Sequence, residues 1–347
     1  MAGKNLLFAA ALVVLAACSE NPISPDPTVS YTGSNTGDNP APFPDPMPPA
    51  PPLPVGGNPI SRATFWVEPN SSARLQADAW LASRPADAAQ MEKIARNSHA
   101  QWMDGSRADI FSAVNNAVTS AAAVGAAPVL VAYNIPQRDC GGLSAGGAAA
   151  NEYKGWITAF AKGIAGRKAI VILEPDALTQ MDCLSATDQA TRIDLIQYAL
   201  AALKTRENVA VYLDGGHSAW KSARDQANRL IRANVAGADG FVLNVSNFQF
   251  TSSSIAYGKA VSDLIGGKHF VIDTSRNGLG PTPDGQWCNP AGRALGSPNT
   301  TATDDSRADA YLWIKPPGES DGSCNGAPTA GSWWADYALG LAERSAL

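Results

Sequence analysis

The chain has 347 residues, a formal net charge of −5 and 45% hydrophobic residues, which is normal for a globular protein with a sizeable core. Charges of both signs are interspersed without a block of Lys and Arg, so nothing draws the chain to nucleic acid or to anionic lipid. We therefore expect no nucleic-acid partner.

Residues 1–17 have the pattern of an export signal. Lys4 precedes an apolar stretch, Leu6 to Ala17, that is too short to cross a bilayer as a helix. The stretch ends in Leu15-Ala-Ala-Cys18, which resembles the lipobox of bacterial lipoproteins, where the cysteine becomes the lipidated first residue. We expect an exported protein with a lipid anchor on Cys18, held at the bacterial cell surface or outer membrane. Cleavage at an ordinary small-residue site, giving a secreted protein, is the alternative.

Residues 18–60 are dense in Pro, Ser, Asn, Gly and Asp. Such a segment cannot build a core, and its composition predicts an extended tether. We expect residues 61–347 to form one folded domain.

From Thr64 onwards, strand-like apolar runs alternate with Ala-rich amphipathic stretches. The predicted strands are Thr64–Val67, Val129–Tyr133, Ala169–Leu173, Val209–Leu213, Gly240–Val245, Phe270–Asp273 and Tyr311–Ile314. The predicted helices are Ile110–Val124, Tyr153–Ile164, Thr187–Lys204, Ala219–Ala233 and Ile255–Ile265. Runs that are apolar throughout suit parallel strands covered on both faces. Because no Gly-x-Gly-x-x-Gly follows the first strand, the pattern favours an α/β fold of the TIM-like type, a seven-stranded parallel β/α barrel, over an open doubly wound sheet.

Four of these runs lead into an aspartate in the following residues. The carboxyl ends of parallel strands meet at one mouth of a barrel, so these side chains should converge there. A single loop aspartate is most often a turn or helix-cap residue, but several at the same ends of different strands favour a site. Acid/base cleavage of a glycosidic bond requires such carboxylates. They are Asp139, Asp176, Asp214 and Asp321.

The surroundings of three aspartates predict different roles. Asp176 follows Pro175 among apolar neighbours, and partial burial beside a second carboxylate such as Asp139 would raise its pKa, as a general acid requires. Asp139 is expected to modulate that pKa, with the adjacent Arg138 keeping one of the carboxylates charged. Asp321 is the candidate base, acting directly or through a chain of waters.

Aromatic and amide side chains beside the strand ends predict a sugar-binding surface. The flat face of tryptophan matches the apolar face of a pyranose ring, although packing into the core remains an alternative for each residue. Asn244 and Asn247, and the stretch that contains Arg276, provide donors for sugar hydroxyls. His217 is interpreted as a positioning residue. The candidate platforms are Trp66, Trp102, Trp220 and Trp287.

Setting aside Cys18 leaves four of the five cysteines, an even set that permits three pairings. We favour Cys140 with Cys183 and Cys288 with Cys324, because each bond would tie two loops that follow neighbouring strands. A zinc site is the competing interpretation, but the chain has no Cys-x-x-Cys and its three histidines are scattered. We expect no metal and no cofactor.

Several strings of residues resemble glycoside hydrolase family 6, in order from about Thr64 to near the C-terminus. They are Tyr133-Asn-Ile-Pro-Gln-Arg-Asp139-Cys140, Glu174-Pro-Asp176, Tyr212-Leu-Asp214-Gly-Gly-His217-Ser-Ala-Trp220, Asp273-Thr-Ser-Arg-Asn-Gly278, Trp287-Cys-Asn289 and Trp313-Ile-Lys315-Pro-Pro-Gly-Glu319-Ser-Asp321-Gly322. The resemblance implies a distorted seven-stranded β/α barrel. It also implies a cellulase that hydrolyses β-1,4-glucans with inversion of the anomeric configuration.

The same resemblance implies roles for individual residues. Asp176 takes the position of the family's acid, Asp139 that of the residue tuning it, and Asp321 that of the debated base. Tyr133 resembles the tyrosine that presses on the distorted sugar, and Ser144 the loop serine that holds the hydrolytic water. Substrate contacts are implied for Asp214, His217, Lys315 and Glu319, sugar platforms for Trp220 and Trp287, and the two favoured disulfides are implied as well.

Two departures from the family's exo-acting members favour an open cleft and an endoglucanase. Only Gly322 and Ser323 separate Asp321 from Cys324, where exo-acting members carry a long roofing loop, and Ala223 replaces a further tryptophan. An exo-acting cellobiohydrolase is the first alternative. A metal-dependent phosphoesterase is weakened by the lack of a His-rich or closely spaced Asp motif, and a non-catalytic glucan-binding lipoprotein is the third alternative. We expect a monomer.

Overall fold

The computed structural model describes residues 57–347. The export signal, Cys18 and nearly all of the predicted tether lie outside the described residues. Within residues 57–347, no helix combines the length and the apolar character needed to cross a membrane.

Seven strands and eight α-helices succeed one another along the described chain. The strands are β1 Gln101–Met103, β2 Val129–Ala132, β3 Ala169–Leu173, β4 Val209–Asp214, β5 Gly240–Leu243, β6 His269–Asp273 and β7 Ala308–Leu312. The helices are α1 Ser72–Trp80, α2 Pro85–Ala95, α3 Ile110–Ala123, α4 Ala150–Ile164, α5 Ala186–Lys204, α6 Ala223–Arg232, α7 Thr251–Leu264 and α8 Ala335–Glu343.

The strands form one parallel sheet in sequence order, with β1 and β7 at its edges. The two edge strands do not pair, but the N–H of Ala100 donates to the carbonyl of Trp313 at 2.9 Å. The indole Nε1 of Trp102 donates to the carbonyl of Ile314, also at 2.9 Å. These bonds bring the edges together, so the sheet curls into an incompletely closed barrel. The prediction of a distorted seven-stranded β/α barrel is confirmed.

Successive residues of the central strands enter two different cores. In β2, Leu130 and Ala132 pack among residues of the surrounding helices, such as Ile157 of α4. Val129 and Val131 instead fill the barrel interior. Since both faces are buried, the strands contain uninterrupted apolar runs.

The predicted strand over residues 64–67 is wrong. Only Phe65 forms an isolated bridge, to Ala127 just before β2. The first strand of the sheet is β1, which the sequence analysis missed because Gln101-Trp-Met103 is short and only its last residue is buried. A three-residue edge strand carries no periodic signal that sequence reasoning can detect.

Two other predicted boundaries shift for identifiable reasons. Strand β7 ends at Leu312, two residues early, because the N–H groups of Trp313 and Ile314 donate to side chains, Asn299 and Asp273, rather than to a neighbouring strand. Helix α6 begins at Ala223 rather than at 219. Ser222 is its N-cap and accepts from the N–H of Asp225.

Candidate active site

A cleft of about 720 Å³ opens at the carboxyl ends of the strands. Asp214 is the last residue of β4, and Asp176 lies three residues beyond β3. Asp139 and Asp321 lie in the loops after β2 and β7. The fold therefore brings the four predicted carboxylates to one site. The predicted site residues that line the cleft are Trp102, Tyr133, Asp139, Ser144, Asp176, Asp214, His217, Trp220, Asn247, Trp287, Lys315, Glu319 and Asp321.

Asp176 has the environment of a protonated acid. Its φ is +69°, a left-handed conformation that is rare for a residue with a side chain and occurs most often at functional sites. No group among the described residues donates a hydrogen bond to its carboxyl. Burial raises the pKa of Asp176 well above the ordinary aspartate value, and the negative charges of Asp214 and Asp139 raise it further.

Asp214 is better suited than Asp176 to carry the negative charge. Its Oδ2 accepts from the N–H of Asp176 at 3.1 Å and of Gly216 at 3.2 Å, and from the hydroxyl of Thr179 at 3.4 Å. Burial raises the pKa of Asp214 to about 7, while these hydrogen bonds favour its ionised form. Because hydrogen-bond donors stabilise the charge on the Asp214 carboxylate, the proton resides on the Asp176 carboxyl, which accepts no hydrogen bond from the described residues.

Both carboxylate oxygens of Asp139 accept hydrogen bonds, one from its own loop after β2 and the other from the segment after β3. Its Oδ2 accepts from the N–H and the hydroxyl of Ser144, at 2.8 and 2.9 Å. Its Oδ1 accepts from Gln180 at 3.1 Å. A Cβ on Gly142 would lie 2.6 Å from Oδ2, so the loop requires glycine at that position. The Tyr133 hydroxyl completes the group, 3.0 Å from the Ser144 hydroxyl.

Arg138 forms no salt bridge among the described residues, but against the effect of burial its charge favours the ionised form of one carboxylate, that of Glu174, in keeping with the sequence-based expectation. Its guanidinium donates to the carbonyls of Tyr133 at 2.6 Å and of Ser144 at 2.8 Å. It also lies over the Tyr133 ring, 4.4 Å from the centroid. Its hydrogen bonds therefore go to carbonyl oxygens of its own loop and not to acidic side chains. Arg138 thereby stabilises the loop that carries Asp139.

Asp321 is held in its charged form. Its Oδ2 accepts from Arg276 at 2.8 Å and from the N–H of Asn289 at 3.0 Å, and Lys315 Nζ lies 3.6 Å from its Oδ1. Burial alone would raise the pKa of Asp321, but the charges of Arg276 and Lys315 outweigh burial and lower it. Arg276 had been expected to bind sugar hydroxyls, but it is fully buried and engaged by Asp321.

Lys315 and Glu319 flank Asp321 on the same side of the cleft. Lys315 Nζ donates to the carbonyl of Ser320 at 2.9 Å and lies 6.0 Å from the centroid of the Trp102 ring. Burial raises the pKa of Glu319, against the opposing charge of Lys315. In residues 57–347, no three His, Cys, Asp or Glu side chains are grouped so that they could hold a metal ion.

Three of the four candidate tryptophan platforms reach the cleft. Trp287 is 51% exposed, and Trp220 is half-buried beside His217, with ring centroids 5.4 Å apart. Trp102 meets Tyr133 edge to face, at a centroid distance of 4.9 Å. These rings present apolar faces to the cleft.

His217 is neutral at this site. Its Nδ1 accepts from the N–H of Ala219 at 3.3 Å, which leaves the ring proton on Nε2. Burial lowers the pKa of His217 to about 4. A neutral ring with a free N–H fits the positioning role predicted from the sequence.

Two predicted substrate contacts lie outside the cleft. Trp66 is 6% exposed and packs with Ala121 and Ala126, and its N–H donates to Ala127, which precedes β2 at the opposite end of the sheet. Asn244 is fully buried and donates to the carbonyl of Asp273 at 2.9 Å. Trp66 belongs to a small apolar cluster at the end of α3, and Asn244 supports its own loop through buried hydrogen bonds.

Both favoured disulfides are confirmed. Cys140 bonds to Cys183, and Cys288 bonds to Cys324. The first joins the loop that carries Asp139 to the segment after Asp176. The zinc alternative is therefore wrong, because all four thiols are consumed.

One supporting residue that the sequence analysis passed over is Asp273, the last residue of β6. Burial raises its pKa, while main-chain hydrogen bonds stabilise its charge. The sequence did contain a signal for this role, since Asp273 is an acidic residue at the end of an apolar strand. The stretch was interpreted only as a source of hydrogen-bond donors to sugar hydroxyls. Its carboxylate ties together the beginnings of three loops by accepting, at 3.0 to 3.2 Å, from the N–H groups of Ser246, Ser275, Ile314 and Lys315.

The curled parallel sheet presents, in one cleft, the carboxylic acid side chains that the carbohydrate-cleaving class of hydrolases uses. The model of the glycosyl hydrolases family 6 matches residues 60–345. The chain belongs to this family.

Individual relatives agree with this assignment. "Endoglucanase A" of Cellulomonas fimi is 45% identical over 291 residues, 83% of this chain, which spans 62% of that relative's length. A structure of the endoglucanase Cel6 from Mycobacterium tuberculosis, in complex with methyl-cellobiosyl-4-deoxy-4-thio-β-D-cellobioside, superposes with a TM-score of 0.80 at 46% identity, covering 83% of this chain and 99% of that one. A probable 1,4-β-D-glucan cellobiohydrolase C of Neosartorya fischeri is 29% identical over 81% of this chain and 77% of that relative.

Proposed function

We propose that this protein hydrolyses β-1,4-glucosidic bonds within chains of cellulose or a related β-glucan, with inversion of the anomeric configuration. One observation carries the proposal. Asp176 presents a protonated carboxyl to the cleft, while Asp321, in the same cleft, is held ionised by Arg276. An inverting glycosidase requires one carboxyl in each of these states.

In the proposed reaction, Asp176 donates its proton to the leaving glycosidic oxygen as the bond from that oxygen to the anomeric carbon breaks. A water attacks the carbon from the opposite face and gives up its proton to Asp321, directly or through further waters. Ser144 lies between Tyr133 and Asp139, at 3.0 and 2.9 Å, where its hydroxyl can hold that water. Asp139 keeps the proton on Asp176 until the leaving oxygen takes it.

The aromatic rings and the relatives support a glucan substrate. Trp220 and Trp287 offer flat apolar faces along the cleft, as a chain of pyranose rings requires. The Cellulomonas fimi relative is named an endoglucanase, and the Mycobacterium tuberculosis structure holds a thio-linked cellobioside. Both agree with a β-1,4-linked substrate.

The short segment after Asp321 supports internal attack. Two residues, Gly322 and Ser323, lead to Cys324, whose disulfide prevents this segment from extending over the cleft. A cleft that long loops do not enclose accepts a chain at any position, whereas a tunnel admits only a chain end.

Product analysis tests this function. Nuclear magnetic resonance of a cello-oligosaccharide digest in its first minutes is expected to show the α-anomer at the new reducing end, and the β-anomer would overturn the inverting mechanism. Endo attack predicts that a soluble cellulose derivative loses viscosity well before reducing ends accumulate. Cellobiose as nearly the sole early product would instead indicate the exo-acting alternative.

We also propose that the protein is exported and anchored as a monomer through a lipid on Cys18, since Leu15-Ala-Ala-Cys18 has the lipobox pattern. Mass spectrometry of the mature protein is expected to show an acylated N-terminal cysteine. The Cys18→Ala variant should lose the acyl group and leave the membrane fraction. A mature N-terminus without acyl groups, beginning at Ser19 or later, would exclude the anchor, and light scattering of the detergent-free domain tests the monomer.

A further inference from the structure

Arg192 is a buried cation that binds main-chain oxygens of two loops, the one after β2 and the one after β3. It lies on α5 and is 3% exposed. One terminal nitrogen, Nη2, donates to the carbonyls of Pro136 at 2.7 Å and Gln137 at 2.8 Å, and Nη1 donates to that of Ala177 at 3.2 Å. Ala177 directly follows Asp176. One guanidinium therefore connects the segment before Asp139 to the segment of the proposed acid.

Glu174 binds the same segment through its main-chain N–H groups, whereas Arg192 binds its carbonyl oxygens. It is 1% exposed and accepts from the N–H of Asn134 at 3.0 Å and from the N–H of Ile135 at 3.0 Å. The Tyr153 hydroxyl donates to its other oxygen at 2.9 Å. A carboxylate thus binds the N–H groups at residues 134 and 135, and a guanidinium binds the carbonyls at 136 and 137.

The segment needs this support for two reasons. Its other side faces a separate cavity of about 410 Å³, lined by Ile135, Pro136 and Gln137, instead of packed side chains. It also leads into left-handed backbone, with φ of +53° at Gln137, +55° at Asp139 and +49° at Cys140. Non-glycine residues persist in such conformations only where surrounding contacts enforce them.

We propose that Arg192 and Glu174 are positioning residues that fix residues 134–137 in one conformation and thereby set the placement of Asp139 relative to Asp176. The inference deepens the proposed function and rests on it, because it assigns the two residues to the proton transfer of the same site. Neither side chain lines the cleft. Both act through the main chain of the loops that carry the reacting groups.

Burying both charges argues against a purely stabilising role. Among the described residues, Arg192 has no carboxylate within salt-bridge distance, and its Nε has no hydrogen-bond partner. Burial lowers the pKa of Arg192 and raises that of Glu174 to about 7. A charge is costly to bury, and here each one satisfies main-chain groups of residues 134–137, so the pair fixes the conformation of this segment.

The test compares Arg192→Met with Arg192→Lys on a soluble β-1,4-glucan. Arg192→Met removes all three donors at similar volume, and kcat should fall about tenfold or more while KM changes by less than about threefold, because a misplaced reacting group costs rate rather than substrate binding. Arg192→Lys should recover part of the lost kcat.

A pH profile separates positioning from general loss of structure. The ionisable groups that face Asp176 are Asp139, Asp214 and Tyr133. If Asp139 moves away, its charge no longer favours the protonated acid, so the basic limb of kcat should move to lower pH in Arg192→Met and in Glu174→Gln.

Arg167→Met is the matched control. Arg167 donates to the carbonyls of Gly163 and Ile164 at the end of α4 away from the cleft, and to the side chain of Asn115. It should lower Tm without changing kcat or the pH profile. If Arg192→Met keeps the wild-type kcat and profile, or if the two methionine variants lose activity equally, the inference is wrong.

If Arg192→Met does not fold, the pH profiles of Arg192→Lys and Glu174→Gln test the inference instead. A wild-type pH profile of kcat in both variants would overturn it. Failure of the proposed function looks different. The wild-type protein would then not cleave the glucan, or Asp176→Asn would retain full activity.

Discussion

The main-chain N–H of Asp176 donates to Oδ2 of Asp214, 3.1 Å away. The bond joins the end of β4 to the loop after β3 and brings a second carboxylate next to the proposed acid. Burial raises the pKa of Asp176, and the negative charge that hydrogen bonds stabilise on Asp214 raises it further, so Asp176 keeps its proton at a pH where an ordinary aspartate has lost it.

Asp176→Asn should lower kcat on cellulose derivatives by about 10²- to 10⁴-fold, the usual contribution of a general acid. Binding of a cello-oligosaccharide, followed by tryptophan fluorescence, should remain within about threefold of wild type because the amide preserves shape. An aryl cellobioside with a good leaving group needs little protonation and should lose much less rate. Equal losses on both substrates would mean that Asp176 is not the acid.

Asp139→Asn should move the basic limb of the kcat profile to lower pH. The charge of Asp139 raises the pKa of Asp176, and activity is lost as pH rises through that pKa, so removing the charge advances the loss. Asp194→Asn, on the exposed face of α5, is the matched control and should leave the profile in place. An unchanged profile for Asp139→Asn contradicts the tuning role.

Asp176→Asn should also stabilise the protein, increasingly so at higher pH. The folded-state pKa of Asp176 lies above its unfolded value of about 3.9, so the wild-type protein loses stability as pH rises above that value. Asparagine does not titrate, and Tm should rise by about 2 to 4 °C near pH 7 but change little near pH 4. Calorimetry at the two pH values checks this, and a constant difference would argue against a raised pKa.

Arg276→Met should move the acidic limb of kcat/KM to higher pH. Arg276 lowers the pKa of Asp321 against the effect of burial, and a base must be ionised, so losing the guanidinium raises the pH at which activity disappears on acidification. Breaking this buried pair should also cost about 3 to 5 kcal/mol of stability. Arg276→Lys keeps a positive charge and should show a smaller shift. A fixed acidic limb in folded Arg276→Met would assign that limb to another group.

Trp287→Ala should weaken substrate binding, whereas Trp66→Ala should weaken the fold. Trp287 is 51% exposed in the cleft, so its loss should raise KM for a cello-oligosaccharide about threefold to tenfold with little change in Tm. Trp66 is buried at the other end of the barrel, so its loss should lower stability by about 3 to 5 kcal/mol and leave KM unchanged. A raised KM in Trp66→Ala would restore it as a sugar platform.

Sequence patterns were sufficient where burial is uniform along an element. Strand β3 was predicted with its observed bounds, Ala169–Leu173, because both of its faces are buried and every residue is apolar. Helix α5 was predicted to within one residue for a different reason, since its buried apolar residues recur at helical spacing behind the N-cap residue Ser185. Strand β1 and the bridge at Phe65 were not predictable, because their pairing depends on which distant segments meet.

The sequence by itself determined which carboxylates meet at one end of the barrel, since a parallel β/α repeat delivers every post-strand loop to one rim. It could not show that Trp66 and Asn244 lie outside the cleft. Whether a residue near a strand end lines the cleft depends on its contacts with residues that are distant in the sequence. Only the tertiary structure decided the charge states. Asp176 and Asp321 are the same residue type, and opposite neighbours, carboxylates for one and Arg276 with Lys315 for the other, drive their pKa values apart.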